Sequence, residues 1–139
     1  MKSEPFTVVG HTADIAVVVR GHDLPSLLTN AAAALYHLVI GELVSADTEE
    51  RNLSVDSVDE DGLLIDWLNE LLYLLDVERI VFRSFIFDQL DDTHIAARAG
   101  GGKLPPNTRF QREIKAATHH LTRIHREDEG LIAQVVFDI

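Results

Sequence analysis

Short alternating runs of apolar and polar residues open the chain. Residues 5–10, Pro-Phe-Thr-Val-Val-Gly, read as a brief strand, and Ile15 to Arg20 as a second one with Ile15, Val17 and Val19 on one face. The polar segment His11-Thr12-Ala13-Asp14 separates them. After Gly21-His22 the period changes. Leu24, Leu27, Leu28, Ala31, Leu35, Leu38 and Val39 recur at helical spacing, and the pattern predicts a helix over residues 24–40. Asp23 supplies its N-cap, Pro25 fits the first turn, and Gly41 stands just past its end. Residues 51–57 alternate again, with Leu53 and Val55 inward. Asp59-Glu60-Asp61 then opens a second helix, where negative charge suits the positive end of the helix dipole. Its apolar stripe is Leu63, Leu64, Trp67, Leu68, Leu71, Leu72 and Leu75, with Asp66, Asn69, Glu70 and Tyr73 off the stripe.

The second half of the chain is strand-like. Residues 79–89 carry apolar groups on both parities, Ile80, Phe82 and Ile86 against Val81, Phe85 and Phe87, as in a strand covered on both faces. His94 to Ala99 read as its partner, and Gly100-Gly101-Gly102 with Pro105-Pro106 as a flexible surface loop. Residues 109–124 read as one long strand, Glu127-Asp128-Glu129-Gly130 as a turn, and Leu131 to Ile139 as a final strand reaching the last residue. The order is two strands, helix, strand, helix, four strands. Consecutive strands joined by short turns pair antiparallel. The predicted class is therefore α+β: a mostly antiparallel sheet layer with two main helices, in one compact domain over residues 1–139.

Composition narrows the function classes. With 139 residues, 46 % of them hydrophobic and 25 % charged, a packed core is expected. The absence of cysteine excludes thiolate zinc sites, iron–sulfur clusters and cysteine catalysis, and fits a reducing compartment. Met1-Lys2-Ser3-Glu4-Pro5 lacks the features of a signal peptide, and no apolar run approaches the ~18 residues of a membrane span, so a cytoplasmic location is expected, with no membrane partner. A net charge of −11 argues against direct docking on a nucleic-acid backbone; it serves solubility, and it also suits a cation or a basic partner.

Few motifs carry chemistry. Gly100-Gly101-Gly102-Lys103 lacks the spacing of a phosphate loop, Leu104 stands where Ser or Thr is needed, and Pro105-Pro106 block the following helix. No Gly-x-Ser-x-Gly occurs. His119 and His120 are adjacent on a predicted strand, so they point to opposite faces and do not share one ion. Asp14 and the end of the chain make a sharper combination. A strand held to Ile139 sets a main-chain carboxylate beside Asp138, and Asp14 would add a third hard oxygen ligand of the kind that suits Ca²⁺, Mg²⁺ or Mn²⁺. Spacing alone leaves this open against a plainer reading, in which Asp14 caps a turn and Asp138 is an exposed edge carboxylate.

Four segments in register, spread over nearly the whole chain, resemble the archease family. They are His11-Thr12-Ala13-Asp14-Ile15, the helix text from Asp66-Trp67-Leu68-Asn69-Glu70 to Asp76, Ile114-Lys115-Ala116-Ala117-Thr118-His119-His120, and the closing Val135-Val136-Phe137-Asp138-Ile139. The resemblance implies a non-catalytic helper of the GTP-dependent RtcB-type RNA ligase, which joins a 3′-phosphate or 2′,3′-cyclic phosphate to a 5′-hydroxyl through a histidine–guanylate intermediate. Archeases promote guanylylation and repeated turnover of that ligase in tRNA splicing, so RNA is met through the ligase. The resemblance also implies a bound divalent cation, with calcium as the expected ion, on Asp14, Asp138 and Ile139. It places His11, Lys115 and His120 near the metal or the partner surface. The chain departs from the family pattern at Gly10, at His119 and at Gly100-Gly101-Gly102. A stand-alone metal-dependent enzyme and a chaperone-like modulator of another tRNA-modifying enzyme are the alternatives.

Overall fold

The computed structural model describes residues 5–10, 14–41 and 48–139. Their elements run β1 (Phe6–Gly10), β2 (Asp14–Gly21), α1 (Leu24–Val39), β3 (Glu49–Asp56), α2 (Glu60–Glu78), β4 (Ile80–Leu90), β5 (His94–Lys103), β6 (Ala116–Glu127) and β7 (Gly130–Asp138). The predicted order of elements and the α+β class are both found. The strands form two antiparallel sheets, one ordered β1-β2-β7-β6 and the other β3-β5-β4. Each helix touches strands of both sheets. That placement explains why their apolar positions run beyond a single stripe. In α2, Ile65 and Leu74 are buried together with the predicted stripe, because a helix covered by sheets on two sides has little free surface. No helix among the described residues is long and apolar enough to cross a membrane.

Local chemistry sets the helix positions. Asp23 caps α1 by accepting the Ser26 N–H at 3.0 Å, and the Ser26 hydroxyl reciprocally accepts the Asp23 N–H at 3.1 Å. The Ser26 hydroxyl, which donates to the Asp23 carboxylate at 2.7 Å, and then the Ser26 N–H hold that carboxyl below its ordinary value. Gly41, at φ 84°, closes the helix with the positive φ that favours glycine. Trp67 is fully buried in α2 and donates its indole N–H to the Leu28 carbonyl of α1 at 3.0 Å, tying the helices together. Its ring packs on Phe85 and Phe87 of β4, with centroids 5.0 and 5.7 Å away.

Several expectations need correction. The sheet layer is two sheets, and the last four strands do not pair in succession: the β4–β5 and β6–β7 hairpins lie in different sheets, and β7 pairs instead with β2. Gly100-Gly101-Gly102 is not a surface loop but part of β5. A Cβ on Gly101 would fall well inside contact distance of the Val81 carbonyl oxygen, so the glycine answers to close approach of β4 at its bulge. The strand predicted from residue 109 begins only at Ala116. Ahead of it, the Gln111 N–H and the Arg112 guanidinium donate to the Val39 and Leu38 carbonyls at 2.7 and 3.1 Å, satisfying the last turn of α1. A bulge between Phe82 and Ser84 shifts the phase of β4, and Ile86 beyond it is exposed where a covered strand was expected. The final strand stops at Asp138, and Ile139 lies outside it.

Candidate metal centre

The pairing of β2 with β7 builds the site. Its register sets Asp14 opposite Asp138, Ile15 opposite Phe137, Val17 opposite Val135 and Val19 opposite Ala133. The last three pairs are buried in the core. Strand alternation then sends the intervening parity to the other face, so Asp14 and Asp138 stand side by side on the outer face of the sheet. Side chains directly opposite on antiparallel strands have Cβ atoms about 5 Å apart. Asp14 is half-buried and Asp138 is exposed. Two like charges so placed repel, and the arrangement is relieved by a cation between or beside them.

The residues present fit a hard divalent ion in donor chemistry. Two carboxylates supply strong oxygen donors, and such ions complete their shell with main-chain carbonyls and water. Among the described residues no three of His, Asp and Glu gather into a metal-binding group. Ile139, the residue after Asp138, lies outside β7 and is 38 % exposed.

The other expected site residues are distributed unevenly around this pair. Lys115 is exposed, and its main-chain N–H donates to the Asp138 carbonyl at 2.8 Å. The next residue, Ala116, is the β6 partner of Asp138. Lys115 thus lies at the carboxylate pair through its backbone. His120 is exposed and lies in a break of the β6–β7 register between Thr118 and Arg123. The prediction that His119 and His120 point to opposite faces assumed a regular strand and does not apply there. His11 lies outside the described residues.

The break around His120 is a built feature. Leu121 adopts φ 63° with a 59 % exposed side chain, a backbone conformation uncommon for a bulky residue. Side chains hold it on every side. Thr118 Oγ1 accepts the His120 N–H at 2.9 Å, the buried Thr122 Oγ1 accepts the Val136 N–H at 3.1 Å, and the Gln134 amide donates to the Leu121 carbonyl at 3.1 Å. Nothing in the strand pattern signals this; a Thr-His-His-Leu-Thr run reads as ordinary alternation.

Sequence reasoning also passed over the outer edge of β6. The Asn69 side chain accepts the Ala117 N–H at 2.8 Å and donates to the Ala117 carbonyl at 3.2 Å. Asp61 accepts the Ile124 N–H at 2.8 Å, and Glu60 forms a two-point ion pair with Arg126 at 2.9 Å. Two polar residues of α2, Asn69 and Asp61, therefore bond the β6 main chain where a neighbouring strand would, and Glu60 adds a side-chain ion pair. In the sequence Asn69 shows only as a residue off the apolar stripe, and Glu60 and Asp61 only as acids opening the helix. A separate open groove of about 600 Å³, lined by His22, Asp23, Arg126, Glu127, Asp128 and others, lies at the far end of β2. It is seven register positions from Asp14, and does not include the carboxylate pair.

Comparison with known proteins agrees with this fold. The sequence model of the archease protein family matches residues 6–139. The protein archease of Methanosarcina mazei is 36 % identical over 144 aligned residues, covering 99 % of this chain and 98 % of that protein. The archease of Pyrococcus furiosus is 34 % identical, covering 93 % and 94 %. The solution structure of Methanobacterium thermoautotrophicum protein 1598 superposes with a TM-score of 0.79 at 32 % identity, covering 97 % of this chain and 99 % of that one. A crystal structure from Thermotoga maritima, described as an archease and possible chaperone, has a TM-score of 0.64 at 22 % identity, covering 100 % and 98 %, and shares the fold. With the family pattern matched from the first strand to the last residue, and relatives above 30 % identity along nearly its full length, the chain belongs to the archease family.

Proposed function

We propose that this protein is an accessory factor of a GTP-dependent RtcB-type RNA ligase, promoting guanylylation and repeated turnover of the ligase. In this reading it holds a divalent cation, Ca²⁺ first and Mg²⁺ or Mn²⁺ as alternatives, on Asp14, Asp138 and a main-chain oxygen of Ile139. The observation that carries the reading is the register that sets Asp14 directly across from Asp138. Two carboxylates held together on an outer sheet face are costly without a cation. A bound ion supplies concentrated positive charge that stabilises phosphate oxygens. Here the chain's own contribution is to hold two carboxylates at fixed spacing on paired strands, with Lys115 anchored beside them. The net charge of −11 suits approach to a basic partner surface. RNA is then met through the ligase, and the protein itself performs no bond-making step.

The test is single-turnover guanylylation of the cognate ligase, with and without this protein, using Asp14→Ala and Asp138→Ala. Stimulation by the wild-type protein and its loss in folded variants is expected. Undiminished stimulation by both variants refutes the role of the carboxylate pair. RNA joining at limiting ligase separates the alternatives. Turnover without any ligase would point to a stand-alone enzyme. Capture of another tRNA-modifying enzyme with no effect on joining would point to a chaperone-like modulator.

A further inference from the structure

We infer that Asn69 is a positioning residue for the Asp14–Asp138 carboxylate pair, acting through the main chain of β6. The inference deepens the cation reading above and rests on it in part. Asn69 offers both halves of its carboxamide to the main chain of one residue, accepting from the Ala117 N–H at 2.8 Å and donating to the Ala117 carbonyl at 3.2 Å. That is the pattern by which a neighbouring strand would pair with β6. β6 is the outermost strand of its sheet and has β7 on its other side. Immediately before Ala117, Ala116 is the register partner of Asp138, and the Lys115 N–H bonds the Asp138 carbonyl at 2.8 Å. A continuous chain of hydrogen-bonded peptide units therefore runs from the Asn69 side chain to the backbone of Asp138 and, through the β2–β7 register, to Asp14.

The local register makes this anchor necessary. Just beyond Thr118 the β6–β7 pairing is interrupted until Arg123, so the segment 116–118 is a short paired stretch cut off from the rest of the hairpin. Without Asn69 the outward main-chain groups of Ala117 lose their partner, and the segment keeps only its pairing with β7 and the burial of Ala117. Asp61 plays the matching part beyond the interruption by accepting the Ile124 N–H at 2.8 Å. The two α2 residues thus anchor opposite sides of the same bulge, and only the Asn69 side leads to the carboxylates.

This arrangement provides its own control. Asn69→Ala and Asp61→Ala each remove an α2 anchor from β6, but at opposite sides of the break. Amide hydrogen exchange is measured on the cation-free protein, and terbium binding, as a probe of a hard-cation site, is titrated by luminescence. In Asn69→Ala, exchange at Lys115 and Ala117 accelerates while Ile124 is unchanged, and terbium affinity falls about tenfold, the lower end of what losing support behind a metal ligand costs. In Asp61→Ala, Ile124 exchange accelerates and terbium affinity stays within about twofold of wild type, since nothing behind a ligand is lost. Asn69→Asp, which retains the acceptor for the Ala117 N–H, recovers part of the Lys115 protection. Unchanged Lys115 exchange in Asn69→Ala overturns the positioning role. An equal loss of terbium affinity in both alanine variants also overturns it, because the loss would then follow stability alone. A wild-type protein that takes up no terbium sinks the cation reading instead, and the exchange result then decides the role of Asn69 by itself.

Discussion

Replacing Asp14 with asparagine should change the stability of this protein in opposite directions depending on whether a divalent cation is present. The two carboxylates face each other across a register position, with side chains about 5 Å apart. Coulomb repulsion at that distance is about 0.8–1.7 kcal/mol for an effective dielectric of about 40–80, the range suited to a pair open to water. The Asp14→Asn substitution removes it with almost no change of shape, so in EDTA the variant is expected to melt about 3–6 °C above wild type for a domain of this size. The cation reverses the order. A ligand at about one hundred times its dissociation constant stabilises the native state by about 2.7 kcal/mol, or about 9 °C here. The wild-type protein takes that gain, while the variant loses most of it. Thermal unfolding of both proteins in EDTA and in excess calcium, at low ionic strength where screening is weakest, is the assay. A variant that melts below wild type in EDTA refutes the repulsion argument. A calcium-induced shift equal in both proteins refutes the assignment of Asp14 to the cation.

Three further outcomes are expected. Gly101→Ala destabilises by about 3 kcal/mol or more, because the new Cβ meets the Val81 carbonyl and two strands cannot separate locally; chemical denaturation measures it, and a near-neutral result would mean that β4 and β5 give way at the bulge. Leu121→Gly stabilises by up to about 1 kcal/mol, since glycine relieves the φ of 63° and the exposed leucine gives up little burial; a loss of stability in denaturant titration would show the side chain to be packed. Asp76→Asn raises the melting temperature slightly at pH 7. Burial and the neighbouring Glu113 push the Asp76 carboxyl above its ordinary 3.8, so the native state binds the proton more tightly and stability falls as pH rises through that window. Below pH 3.8 Asp76 is protonated in both states and the advantage of the variant disappears; a gain that persists there contradicts the electrostatic cause.

What could be read from the sequence was whatever local periodicity and end chemistry decide. Alternation at Ile15, Val17 and Val19, the helical spacing from Leu24 to Val39, and the Asp23 cap with Pro25 and Gly41 each depend on residues a few positions apart, and each was found as expected. The negative opening of α2 at Asp59 and Glu60 was legible for the same reason. The residues suggested Asp14 and Asp138 as a pair and the family text strengthened it, but their wide separation along the chain left their adjacency open.

The tertiary structure decided which strands are neighbours. Only the β2–β7 register makes Asp14 and Asp138 adjacent, and only the α2–β6 contact turns Asn69 from a polar residue off a stripe into an anchor. The glycines at 100–102 misled for a related reason: glycine frees the chain for turns, and it also admits close backbone approach. Which use applies depends on Val81, distant in sequence and packed against them. The bulge at Thr118–Arg123 is invisible to alternation because its cause is a set of hydrogen bonds from Thr118, Thr122 and Gln134. Local patterns follow from short-range sterics and burial, whereas strand partners, registers and bulges follow from contacts between segments that only folding brings together.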